Sequence, residues 1–287
     1  MLFRSKGAVQ PLGAPPRAYA RPALSPDGKQ IAVNIQGQTD DMWIYDIARG
    51  TLTRLTFEGN NIRPVWTPDG KRIAFASDRD GSRQLFWKLA DGTGAEEQLT
   101  NDKLFSNVNS ISPDGKLAFA SLNSTGGRDL WTIELQGERK TTPFLKTPLD
   151  EFLPAISPDG RWVAYMSRDR RTQDIYVRTF PGSEGKWQIS TGGGMAQVWA
   201  RNNRELFYVN PDNKLMVVDI TTEPTFKAGT PRVLLEGTFL LRNNIGVNYD
   251  ISLDGQRFLV VQGSDANLTQ LNVVLNWFEE LKQRVPR

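Results

Sequence analysis

Three observations predict an all-β protein folded as a six-bladed β-propeller with four antiparallel strands per blade. The first is an internal repeat. The string ALSPDGKQIAV from Ala23 returns as VWTPDGKRIAF from Val65, SISPDGKLAFA from Ser110 and AISPDGRWVAY from Ala155, with degenerate copies VWARNNRELFY from Val198 and DISLDGQRFLV from Asp250. The second is the period: Asp27, Asp69, Asp114, Asp159, Asn202 and Asp254 are separated by 42, 45, 45, 43 and 52 residues. The third is the pattern inside each unit, which runs apolar strand, turn, alternating strand (KRIAFAS), second alternating strand (QLFWKL) and short strand (EEQLT).

The turn has a local cause. Pro presets φ, Asp bonds its own backbone two residues on, and Gly accepts positive φ, which together favour a tight hairpin. Asp27, Asp69, Asp114 and Asp159 are therefore read as turn formers rather than catalytic carboxylates. Aromatic residues such as Trp43, Phe75, Trp131, Tyr165 and Trp199 fall inside strands and are expected to pack between blades. A β-solenoid also repeats, but with shorter units and polar caps, whereas six units of four strands close into a ring. The sixth copy supplies VNYDIS, RFLVVQ and LNVVLNW but no clear fourth strand, so the N-terminal segment at about 8–12 (AVQPL) is predicted to complete the last blade and remove a free sheet edge. A polar helical tail is expected over about 278–284, and residues 1–287 are read as a single domain and a monomer.

Composition excludes several chemistries. With no Cys there is no disulfide, thiolate nucleophile or zinc–thiolate site, and with no His the usual general base and every Ser-His or Cys-His pair are missing. The 35 Lys and Arg against 32 Asp and Glu are scattered, which argues against a nucleic-acid footprint. No segment has the roughly 18 apolar residues needed to span a bilayer, and the start lacks a signal-peptide core. The chain thus reads as soluble, in either the periplasm or the cytoplasm of a bacterium.

At these repeats the chain resembles the TolB-type, WD40-like propeller family, whose units carry the same W-S-P-D-G-k-x-I-A-F pattern before an Asp-Ile-Tyr-Val-like strand, here DMWIYDI, DLWTIEL and DIYVRTF. The entry APPRAYARPALSPDG and the ending NVVLNWFEELKQRVP look like those of the sensory propeller regions of bacterial serine/threonine protein kinases, which makes Met1 to Arg4 the expected stub of a longer parent. No kinase element is present in the sequence. Nor is there a G-x-S-x-G elbow of the prolyl-oligopeptidase-like enzymes whose catalytic domain such propellers precede.

Propellers bind ligands where the innermost strands begin, at the mouth of the central channel. Alignment back from the turns puts Tyr19, Asn61, Ser106, Glu151, Gly194 and Gly246 in one column, and Arg21, Arg63, Val108, Leu153, Ala196 and Asn248 two positions on. With their polar neighbours these give the candidate binding set Tyr19, Arg21, Asn61, Arg63, Asn107, Asn109, Glu151, Gln197 and Asn248; Asn244 also lies nearby. Two readings follow. In the first, the chain is a binding, scaffold or sensory propeller that takes a protein segment or small ligand, and Arg21 and Arg63 could together hold a carboxylate or phosphate. In the alternative, Glu151, Asn61, Asn107, Asn248 and Asp250 are oxygen ligands for Ca²⁺, and the chain hydrolyses lactones, esters or phosphotriesters, by analogy with calcium-dependent propeller hydrolases.

Overall fold

The computed structural model describes residues 8–101, 105–169, 172–182, 184–236, 241–243, 246–263 and 269–275. They form six antiparallel sheets, each a blade. Blade one comprises Tyr19–Leu24, Gln30–Ile35, Asp41–Asp46 and Thr51–Arg54, in that spatial order from the innermost strand outward, and blade two Asn61–Trp66, Arg72–Ser77, Gln84–Leu89 and Glu97–Gln98. Blade three runs from Ser106–Ile111 to Thr141–Leu145 and blade four from Asp150–Ile156 to Trp187–Gln188. Blade five begins at Met195–Trp199 and ends at Arg232–Leu235, with Lys227–Ala228 also paired to its third strand. The innermost strands of blades one to five neighbour one another in turn, that of blade six neighbours that of blade one, and Met195–Trp199 of blade five meets Gly246–Val247 just ahead of blade six.

Blade six closes as the sequence predicts. Tyr249–Ile251, Phe258–Gly263 and Thr269–Leu275 are completed by Ala8–Pro11, antiparallel to the last of them with Ala8 opposite Leu275 and Pro11 opposite Asn272. A small extra ribbon, Arg242–Asn243 with Gly246–Val247, precedes this blade. The predicted tail and Asn244 lie outside the described residues.

The core lies between blades. The middle of each second strand is apolar on both faces because both face a neighbouring sheet: Phe75, Phe119 and Tyr165 are at most 1% exposed. Separate clusters join blades one to two (Ile44, Trp66, Phe86), two to three (Leu85, Val108, Phe119) and six to one (Tyr19, Tyr45, Leu259). Each such side chain contributes about 1.5–3 kcal/mol by leaving water.

The repeated turn works as its residues require. In blade one the Ser25 hydroxyl donates to Asp27 Oδ1 (2.6 Å) and accepts from Gln30 N–H (2.9 Å), while Lys29 N–H donates to Asp27 Oδ1 (3.1 Å). Thr67/Asp69, Ser112/Asp114, Ser157/Asp159 and Ser252/Asp254 repeat the contact. The turns also touch around the ring: a Cβ on Gly70 would lie 3.6 Å from Pro26 Cδ, and one on Gly160 3.2 Å from Pro113 Cδ. Leu253 fills the place of that proline in blade six, against Gly28.

Candidate functional site

Strand direction alternates within a blade, so the start of each innermost strand, the loop between second and third strands, and the connection from one blade to the next all share one face. The Ser-Pro-Asp-Gly turns lie on the other. The column carrying Arg21 and Arg63 holds a repeated bulge. Pairing of first and second strands breaks between Ala20 and Ala23, Ile62 and Val65, Phe152 and Ala155, and Met195 and Val198. In those gaps Arg21, Arg63, Leu153 and Ala196 adopt left-handed φ of 53°, 62°, 54° and 56°. Such a conformation costs a non-glycine residue about 1–3 kcal/mol, so the surrounding fold must impose it. In three blades the next residue is Pro22, Pro64 or Pro154, which has no N–H to lose from the interrupted ladder. The freed N–H of Arg21 donates to Asn248 Oδ1 (2.6 Å) and that of Arg63 to Asn34 Oδ1 (3.1 Å), in each case across to the preceding blade.

The bulge brings Arg21 and Arg63 together with two arginines the sequence reading did not single out, Arg83 and Arg128. Burial lowers the Arg63 pKa to about 9, and the charges of Arg21, Arg83 and Arg128 press it the same way. Arg21 and Arg83 are also lowered, first by burial. All three side chains are half-buried. Carboxylates oppose them in part. Asp40 faces both Arg21 and Arg83, and burial raises its pKa against their pull. Asp78 is held below the ordinary value despite its burial, because Asn60 donates from N (2.8 Å) and Nδ2 (3.0 Å), with Arg83 adding its charge. Arg128 forms a two-pronged pair with Asp150 (both 2.9 Å), which also receives Arg168 (2.5 Å).

The remaining candidates fall elsewhere. Tyr19 does not line the mouth: it is 2% exposed, packs in the apolar seam between blades six and one, and donates its hydroxyl to the Pro15 carbonyl (2.5 Å). The Asn61 amide is consumed within its own blade, donating to Glu58 (2.9 Å) and Gly59 (3.2 Å) carbonyls and accepting from Arg79 (3.0 Å). Gln197 is buried in the blade-five bulge and donates to the Leu153 carbonyl of blade four. Asn107 Oδ1 accepts weakly from Arg83 (3.5 Å), and Asn109, the single bulged residue of blade three, has a buried Oδ1 with no partner among the described residues. Glu151 is 1% exposed. Thr147 donates to its Oε1, its Oε2 has no partner among the described residues, and burial pushes its pKa up to about 7.

The five oxygen ligands expected for Ca²⁺ are thus engaged separately. Asn61 meets Arg79, Asn107 meets Arg83, Asn248 caps Arg21 N–H, and Asp250 accepts Leu24 N–H (2.8 Å) with one oxygen and Ile251 N–H (2.8 Å) with the other. With Glu151 accepting from Thr147, all five face hydrogen-bond donors, two of them cationic, so this set does not fit a dication. Asp250 instead staples blade six to blade one. Ser110 does the same between blades three and four, accepting from Ile156 N–H (3.0 Å) and donating to the Pro154 carbonyl (2.9 Å).

Among the described residues the exposed large apolar side chains are Phe57, Phe105, Leu122 and Leu253. The first three lie on the arginine face in blades one to three. Phe105 stacks against Arg83 at 4.3 Å, its carbonyl accepts Leu122 N–H (3.2 Å), and Phe57 lies 5.0 Å from the Arg54 guanidinium.

Comparison with known proteins agrees with this architecture. Residues 5–117, about two fifths of the chain, match the model of the TolB beta propeller domain. The Tol-Pal system protein TolB of Francisella tularensis subsp. mediasiatica is 29% identical over 178 residues, 61% of this chain and 41% of that protein. The match therefore spans about two fifths of that relative's length. Among solved structures, TolB from Acinetobacter baumannii superposes with a TM-score of 0.61 at 19% identity over 75% of this chain and 56% of that one. An oligogalacturonate lyase from Vibrio parahaemolyticus superposes with a TM-score of 0.64 at 11% identity over 97% and 81%. Likeness at these identities concerns the fold alone, which serves binding proteins and enzymes alike.

Proposed function

We propose that this chain is a non-catalytic binding propeller that recognises a protein segment at the mouth of its channel, on the face where the innermost strands begin. The observation that carries the reading is the distribution of free chemistry. The amides and carboxylates of the column are turned inward as staples and caps, while the arginines and three of the exposed apolar residues gather on one face. Its TolB relatives belong by name to a multi-protein system, which suits a protein partner. We extend the reading to a sensory role within a longer bacterial signalling protein, on the resemblance of its entry and ending to kinase-linked propellers.

The test is site-specific photo-crosslinking in extracts of the host bacterium. A photoreactive residue replacing Phe57 or Phe105 is expected to trap one defined protein, and the same residue replacing Leu253 on the opposite face is expected not to. Equal labelling from both faces would remove the reading. So would turnover of lactone, aryl-ester or phosphotriester substrates that EDTA abolishes and Ca²⁺ restores.

A further inference from the structure

Resting on that reading, we propose that Arg21, Arg63 and Arg83 form an oxyanion site that takes an aspartate or glutamate carboxylate of an extended partner segment, whose apolar neighbours lie on Phe105 and Leu122. The three guanidiniums come from blades one and two and are close enough for their charges to oppose one another. Nε and Nη1 of Arg21 and Nε of Arg83 are buried with no acceptor among the described residues. A buried guanidinium donor without an acceptor is costly, and a carboxylate with two oxygens matches its fork.

Among the described residues the neighbouring carboxylates are largely committed elsewhere. Asp78 is committed to Asn60, and Asp150 is shared by Arg128 and Arg168, which leaves Asp40 between Arg21 and Arg83. Arg63 remains a cation at neutral pH even with its lowered pKa. A further negative group brought there would relieve the mutual repulsion of all three.

The apolar shelf selects the kind of anion. The Arg83 guanidinium carbon lies 4.3 Å over the Phe105 ring, and Phe105 is bonded through its backbone to Leu122, so a carboxylate seated on Arg83 places the adjoining side chains of its own chain over exposed hydrocarbon. A nucleic acid would need a basic stripe to follow its phosphates, and this charge is one enclosed cluster on a chain of net charge +3.

The experiment selects phage-displayed random 12-residue peptides on the full chain and on its Arg83→Gln variant, then measures a selected peptide by fluorescence anisotropy. Asp and Glu beside apolar residues are expected to be enriched on the parent and not on the variant. Changing the peptide's acids to their amides, or Arg83 to Gln, is expected to weaken binding about tenfold or more. Arg21→Lys should retain part of the affinity, and Leu253→Ala all of it. Arg83 is a partly exposed loop residue, so its variant serves as the test if Arg21 substitutions lower the thermal midpoint.

Selected peptides that lose affinity with Phe105→Ala but show no preference for acids would overturn the carboxylate site and leave the protein-binding reading standing. Peptides indifferent to Phe105→Ala and Arg83→Gln alike, or no selected peptide at all, would overturn both. Displacement of the peptide by inorganic phosphate, but not by equal chloride, would overturn the peptide carboxylate in favour of a phosphate ligand.

Discussion

Glu151 stands opposite Ser167 inside blade four, and both Glu151 Oε2 and Ser167 Oγ lack a hydrogen-bond partner among the described residues. Burial is the main reason its pKa rises from 4.5 to about 7, with Asp129 and Asp150 adding to the effect and Thr147 and Lys186 opposing it. The native state thus binds a proton that the unfolded chain has released, and the stabilisation is complete below pH 4.5 and lost as pH rises to about 7. The loss amounts to about 3 kcal/mol. Urea midpoints measured from pH 4.5 to 7.5 should fall for the parent and show a flatter profile for Glu151→Gln; matching profiles would refute the assignment. The turn carboxylates act in the opposite sense. Asp27 and Asp69, bonded first by Ser25 and Thr67, have lowered pKa values, so their contribution is present above the ordinary aspartate value and lost as pH falls through the lowered one. At this scale the sequence exposed Arg21 and Arg63 because they share a column of the innermost strand. It concealed Arg83 and Arg128 because they occupy a different column, at the start of the third strand, where Asp40 and Gln173 stand in blades one and four. Only the folded ring brings the two columns together.

Among the elements, the hairpin turn was fully legible and the bulge was not. The turn is a local device whose four residues carry their own reasons, and the structure repeats its hydrogen bonds in five blades. A bulge is defined by pairing with a strand some distance along the chain, and its one local trace is the proline after Arg21, Arg63 and Leu153. Two glycines separate backbone strain from contact. Gly160 has φ 71° and would push a Cβ to 3.2 Å from Pro113, whereas Gly115 has φ 85° and open space around the same position. Gly160→Ala is expected to lose about 1–3 kcal/mol, more than Gly115→Ala, which bears the backbone cost alone. Equal shifts in the urea midpoint would show that the contact between neighbouring turns adds nothing.

For the molecule as a whole, closure was readable from a shortage, since the sixth copy had three strands and the first had a spare segment ahead of it. Ala8–Pro11 covers the edge of Thr269–Leu275, and Val9 joins the apolar cluster between blades five and six. Deleting residues 8–12 should leave that edge open to pair with another molecule. Light scattering is expected to show association that grows with concentration, together with a lower thermal midpoint. A monomer of unchanged midpoint would mean that blade six holds without its outer strand.

That same pairing sets an order on synthesis. Blades one to five each consist of chain that emerges in sequence, so each can pair its strands as soon as it leaves the ribosome. Blade six joins Ala8 to Leu275, its outer strand made first and its other three last. Until Thr269–Leu275 appears, the opening segment has no sheet to join and the flank of blade one has no neighbour to cover Tyr19 and Tyr45. The ring is therefore an open arc until Thr269–Leu275 has been made, and its cooperativity arrives with that strand.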